Sequence, residues 1–172
     1  MPRMTPAPIP ANEDDRLQAL RALLILDTPP EERFDRIAAF AAEEFEVKSA
    51  RVTLVDSERQ WFKAAYREPQ GESPRATSFC GHAILKDTPL VVPDAFLDPR
   101  FVDNPNVTGA PHIRFYAGAP LILPTGQSVG TLCVFDEQPK EMDRVSLAIL
   151  SALRDLVVEE LVRRAPQDGA ES

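Results

Sequence analysis

Ser78-Phe79-Cys80-Gly81-His82-Ala83-Ile84 sets a thiol and an imidazole beside a large aromatic side chain and a glycine, and it holds one of the chain's two cysteines and one of its two histidines. Ser78 is a suitable helix N-cap, and Phe79, Ala83 and Ile84 fall at helical spacing, with Cys80 and His82 flanking that stripe. The other cysteine, Cys133, and the other histidine, His112, fall in a later run, His112 to Asp136, that reads as a strand pair. Phe79 to His82 is therefore expected to form the lid of a pocket whose floor is that later sheet.

Upstream of this stretch, Leu17, Leu20, Leu23 and Leu24 recur at helical spacing behind an Asn12 cap, and Asp27-Thr28-Pro29-Pro30 ends that leading helix. A second helix follows, with Phe34, Ile37, Ala38, Ala41 and Phe45 along one side. Ala50 to Asp56 and Gln60 to Tyr66 read as a hairpin rich in β-branched and aromatic residues. Arg67 to Thr77, which carries Pro69, Gly71, Ser73 and Pro74 without apolar periodicity, reads as a loop.

Downstream, Leu90-Val91-Val92 is a short strand, and Asp94 to Pro111 is a connection long enough to suggest a function. From Ile113 the side chains alternate, placing Phe115, Ala117, Ala119, Leu121 and Leu123 on one face and Arg114, Tyr116, Gly118, Pro120 and Ile122 on the other. After a hairpin loop, Val129 to Phe135 returns and carries Cys133 into the sheet. The last helix, about Glu141 to Arg164, is apolar around much of its circumference. If Ile149, Leu153 and Leu156 face the leading helix, then Val145, Leu150, Val157 and Leu161 are left for a second subunit, and a homodimer is expected.

These elements make an α+β fold: an antiparallel sheet of five to six strands with helices packed on it and the long terminal helices on one side. Residues 12–164 form a single domain, with proline-rich residues 1–11 and polar residues 165–172 expected as disordered tails. The start lacks the apolar stretch of a signal peptide, and the apolar runs are broken by charge well short of a membrane span, so a cytoplasmic protein with free thiols is expected. A formal charge of −8 disfavours nucleic acid and anionic membrane as partners.

The residues Ser78 to Ile84, Leu90-Val91-Val92-Pro93-Asp94-Ala95, Asp98-Pro99-Arg100-Phe101, Arg114 to Leu121 and Gly130-Thr131-Leu132-Cys133-Val134 together resemble a GAF domain. The closer likeness is to bacterial GAF sensors fused to diguanylate cyclases, histidine kinases and phosphodiesterases, and it covers about residues 16 to 163. It implies a non-catalytic module in bacterial signal transduction that binds a small polar or anionic molecule and passes occupancy to an output partner through its terminal helices. Within that resemblance Asp136-Glu137 does not reproduce the cyclic-nucleotide signature, and Gly81 separates the cysteine and histidine that are adjacent in bilin-binding members.

The expected ligand-binding residues are Trp61, Phe79, Cys80, His82, Asp94, Arg114 and Tyr116. Arg114 and Tyr116 are the most suggestive pair, because a guanidinium holds an anion while a phenol stacks and donates. Cys80, His82, His112 and Cys133 have zinc-ligand types without the usual spacing, so neither a metal nor any other cofactor is expected. The enzyme alternative is a thiol reductase of the free methionine sulfoxide reductase type using Cys80 and Cys133, although the usual cysteine arrangement of those enzymes is not matched. A scaffold that dimerises without a ligand is the third reading.

Overall fold

A computed structural model describes residues 4–165, and the stretches 1–3 and 166–172 of the expected tails lie outside the described residues. Six strands form one antiparallel sheet in the order β3-β2-β1-β6-β5-β4. They are β1 (Ser49–Val55), β2 (Arg59–Tyr66), β3 (Gly71–Pro74), β4 (Leu90–Val92), β5 (Phe115–Ile122) and β6 (Ser128–Asp136). The helices are α1 (Glu13–Ala22), α2 (Glu32–Glu44), α3 (Phe79–Ala83), α4 (Pro105–Thr108) and α5 (Arg144–Arg164).

Side-chain alternation divides the interior in two. Phe115, Ala117, Ala119 and Leu121 of β5 join Val52 and Leu54 of β1, Leu132 and Val134 of β6, and the apolar sides of α1, α2 and α5 in the larger core. Tyr116, Cys133, Phe135 and Val55 face the opposite way and meet Phe79 and Cys80 of α3 and Ile84 just after it, with Phe101, Val107 and Ile113 of the long connection. The terminal helices thus share one face, and α3 with the connection roofs the other.

Several elements differ from the sequence expectation. β3 lies inside the stretch read as a loop; it is an edge strand with three of its four residues exposed, so no buried face imposes a period of two on its sequence. The long connection holds a 3-10 turn (Ala95–Leu97) and α4, whose cap is Asn104 accepting from the Asn106 amide at 2.8 Å. α5 begins at Arg144 behind an Asp143 cap that accepts from the Ser146 amide at 2.8 Å, not at Glu141.

The expected partition of α5 is also wrong in part. Leu150, Val157 and Leu161 are fully buried in the larger core, whereas Leu156 is 47% exposed and Val145 67% exposed. A helix apolar on all sides carries no stripe to say which side packs, and the sheet and α2 select it. The N-terminal segment is laid down on the α3 side along part of its length. The Thr5 amide donates to the Arg100 carbonyl at 3.0 Å, the Ala7 amide donates to the Ala76 carbonyl at 3.1 Å, and Ala7 is buried.

Charge is used inside the fold at the first turn of α1. Glu13 receives the guanidinium of Arg16 at 2.9 and 3.1 Å and that of Arg75 at 2.6 and 3.0 Å. Both arginines are almost wholly buried, and Arg16 also donates to the Val55 carbonyl at 2.6 Å. This knot joins α1 to the end of β1 and to the segment leading into α3. On β2 the buried Lys63 ammonium donates to the Thr28 hydroxyl at 2.8 Å and pairs with Glu31 at 2.7 Å, which anchors the α1 to α2 turn.

Candidate functional site

The space beneath α3 is built from strands that each contribute alternate residues. β5 supplies Tyr116, β6 supplies Thr131 and Cys133, β1 supplies Arg51 and Thr53, and β2 supplies Gln60 and Phe62. Above them the Ser78 hydroxyl accepts from the Gly81 amide at 2.9 Å and starts α3, which fixes Phe79 and Cys80 toward the sheet.

The Cys80 sulfur lies 3.9 Å from that of Cys133 and accepts from the Tyr116 hydroxyl at 3.2 Å and the Thr131 hydroxyl at 3.0 Å. The buried Thr53 hydroxyl, without a partner in standard hydrogen-bond geometry, faces the same sulfur. Burial alone raises a thiol's pKa, but Cys133, Thr131 and Tyr116 outweigh it and bring Cys80 down to about 6. Its hydrogen bond to Cys80, together with burial, holds Cys133 well above the ordinary thiol range, so of the two thiols Cys80 gives up its proton first. Tyr116 reaches the sulfur because its ring folds back over Gly118, where a Cβ would fall 2.1 Å from the hydroxyl oxygen.

The expected pocket is filled by aromatic side chains. Phe79 stacks on Phe101 with centroids 4.0 Å apart and packs at 5.1 Å against Tyr116, while His82 meets Phe101 edge-on at 4.8 Å. What remains beside Cys80 and Cys133 is a void of about 20 Å³. It is enough for about one water.

The structure brings together only part of the expected site. Phe79, Cys80 and Tyr116 converge with Cys133. Trp61 lies on the other face of the sheet in the larger core. His82 turns outward, its Nε2 3.1 Å from the Thr5 carbonyl, and burial holds its pKa below the ordinary value, so the neutral ring donates that bond. Asp94 caps the 3-10 turn by accepting from the Phe96 amide at 3.0 Å. The Arg114 guanidinium donates to the carbonyls of Val107 and Ile113 at 2.8 and 3.0 Å and lies 3.7 Å from the centroid of Phe96, so it braces the connection. Among the described residues no group of three or more His, Cys, Asp or Glu side chains could hold a metal ion.

An open cleft of about 440 Å³ lies immediately outside the void, between the β2 to β3 turn and the loop from Asn106 to His112. Arg51 and Asn106 line both spaces and so separate them. The Arg51 guanidinium sits 4.0 Å over Phe62 and 5.0 Å from the Phe135 centroid, its buried Nε has no hydrogen-bond partner, and the Glu68 carboxylate stands 3.9 Å away. Lys48, Arg67 and His112 add positive or titratable groups to the rim, and Glu68, Glu72 and Glu137 add negative ones. The sequence signal for Arg51 was a lone charge inside an apolar β-branched strand, Ala50 to Val55.

A six-stranded antiparallel sheet with the terminal helices on one face and a short-helix roof on the other is an α+β fold of GAF type. The GAF domain family model matches residues 29–161, and the chain belongs to that family, whose members are typical sensor domains of signalling proteins. It is similar to cyclic di-GMP phosphodiesterase PA2567 of Pseudomonas aeruginosa, with 42% identity over 137 residues, 80% of this chain and 23% of the relative. The chain thus spans about a quarter of that protein's length. Its fold is similar to the GAF domain of an Acinetobacter phosphoenolpyruvate-protein phosphotransferase at a TM-score of 0.66 and 16% identity, covering 89% of this chain and 94% of that one. It is similar also to free methionine-R-sulfoxide reductase of Neisseria meningitidis, solved with its substrate, at 0.62 and 18%, covering 95% and 99%. Among the described residues no helix is long and apolar enough to cross a membrane.

Proposed function

We propose that this GAF domain is a non-catalytic sensor in bacterial signal transduction that takes a small anionic molecule at the Arg51 cleft. The observation that carries the reading is the Arg51 guanidinium itself, held between two aromatic rings with a buried donor unspent and one carboxylate at 3.9 Å. A half-buried cation held in that way favours an anion that completes its hydrogen bonds. The likeness to a phosphodiesterase acting on a cyclic dinucleotide supports a signalling setting of that kind, with the enzyme activity belonging to another part of such a protein.

A thermal-shift screen of small carboxylates and phosphate esters is expected to give at least one stabilising compound, and Arg51→Gln is expected to weaken it about tenfold or more, as loss of a charge-assisted pair does. A screen without a hit, or a hit that Arg51→Gln binds equally well, overturns the reading. The reductase alternative rests on Cys80 and Cys133, yet the void beside them is about 20 Å³, too small for an amino-acid substrate.

Transmission runs through α5. Val145, Ile149, Ala152 and Leu156 recur at alternating spacings of four and three on its outward side, the seam by which two like helices pair. The occupant is a second copy of this chain. Sedimentation of Val145→Glu, Leu156→Glu is expected to show a folded monomer where the unaltered protein is a dimer; a monomeric unaltered protein at high micromolar concentration refutes the pairing. Leu150→Glu or Val157→Glu tests something else, since both positions are core.

A further inference from the structure

The two thiols beneath α3 are placed for chemistry with each other. Their sulfurs are 3.9 Å apart, on elements distant in sequence, and both line the void that Arg51 and Asn106 separate from the open cleft. We propose that Cys80 and Cys133 are a peroxide-reactive pair that closes to an intramolecular disulfide, with Cys80 the attacking sulfur and Cys133 the resolving one. The assignment is independent of the ligand of the Arg51 cleft.

The roles follow from the surroundings. Cys80 accepts hydrogen bonds from Tyr116 and Thr131, which stabilise a thiolate, and Cys133 remains a thiol. Hydrogen peroxide, one heavy atom larger than water, is the hydroperoxide nearest in size to this void, which excludes an amino acid. The Cys80 thiolate attacks one oxygen of hydrogen peroxide, the O–O bond breaks, and the departing hydroxide takes a proton from solvent and leaves as water, with the Tyr116 and Thr131 hydroxyls in place to hydrogen-bond to it. Cys80 is now a sulfenic acid. The Cys133 sulfur, losing its proton, then attacks the Cys80 sulfur, and the hydroxyl leaves as water. Two thiols supply two electrons, one hydrogen peroxide accepts them, and the products are a disulfide and two waters.

Closing the bond brings the sulfurs from 3.9 Å to about 2 Å. α3 carries one sulfur, is only five residues long and is pinned from outside by the Thr5 carbonyl on His82, whereas Cys133 is held in the middle of the sheet between β1 and β5. α3 is therefore the part that moves. Tyr116 and Thr131 lose the anion they were solvating, and Phe79, adjacent to Cys80, carries the shift into the Phe101 stack. The titratable and charged groups around Cys80 are Cys133 and Tyr116 in contact, Arg51 next to Cys133, and His82 on the far side of Phe101.

The test uses the reduced chain freed of reductant and treated with hydrogen peroxide at neutral pH. Intact mass is expected to fall by about 2 Da with both thiols lost together, no cross-link between chains, and a peptide map joining the Cys80 and Cys133 peptides. Cys133→Ser is expected to stop at a Cys80 sulfenic acid trapped by dimedone, and Cys80→Ser to leave Cys133 a thiol. Tyr116→Phe is expected to slow the reaction several-fold at neutral pH and to move the midpoint of its pH profile upward from about 6, a shift that mere loosening of the roof does not give. Two thiols surviving excess peroxide, oxygen added to Cys80 while Cys133 stays free, or a rate that merely follows global unfolding in urea each overturn the proposal. The mass and peptide map need no variant, so a serine substitution that fails to fold leaves them decisive.

Discussion

Replacing Glu13 with glutamine is expected to destabilise the fold by about 3 kcal/mol at neutral pH, and by progressively less as the pH falls below 4.5. Burial works against the Glu13 carboxylate, but the hydrogen bonds of Arg75 and Arg16 and their charges bring its pKa from 4.5 down to about 2. A depressed carboxylate pKa contributes stability that is complete above the unfolded value and is lost as pH falls through the folded one. Unaltered protein and variant should therefore converge toward pH 2, where the unaltered side chain is also neutral. The penalty at neutral pH is high for one charge because the glutamine leaves Arg16 and Arg75, both almost wholly buried, without their counter-ion. Urea titrations of both proteins between pH 7 and pH 3 measure it, and a pH-independent difference would show that the knot is held by shape alone.

Gly130→Ala is expected to be still more damaging, about 4 kcal/mol or more, enough to leave much of the chain unfolded at room temperature. Gly130 faces Leu54 where β6 crosses β1, and a Cβ there would fall 1.9 Å from the Thr53 carbonyl oxygen and 2.9 Å from the Leu54 Cα. Both are backbone atoms of a central strand, so no side chain can swing aside; the two middle strands must part. Circular dichroism melting of the variant against the unaltered chain gives the measure, and a loss below about 1 kcal/mol would show that the ladder yields locally.

What the sequence conveyed depended on whether a residue's role is decided locally. The alternation from Ile113 to Leu123 assigned faces correctly because a strand's period of two is a local constraint. β3 gave no such signal because an exposed edge strand has no buried side to enforce one. α5 showed the opposite failure: with apolar residues all round, only its neighbours determine that Leu150 packs inward while Leu156 does not. The same distinction runs through the site. Phe79 and Cys80 on the expected roof meet Tyr116 and Cys133 on the sheet. Arg114 and Asp94 were among the expected site residues yet are consumed by nearby carbonyls and amides, and those partners depend on a turn geometry that the sequence does not spell out. The contact of Thr5 with His82 spans 77 residues and no pattern announces it.

The two margins of the sheet have a consequence of their own for how the molecule tolerates crowding. β3 ends in Pro74 and opens at Gly71, which lies at φ +120°, while β4 is three residues long and stops at Pro93. Neither margin offers the long, regular row of free amides and carbonyls on which a foreign strand could template itself. The chain is in this way guarded against sheet-to-sheet polymerisation at high concentration, even though its four inner strands are rich in the β-branched and aromatic residues that drive it.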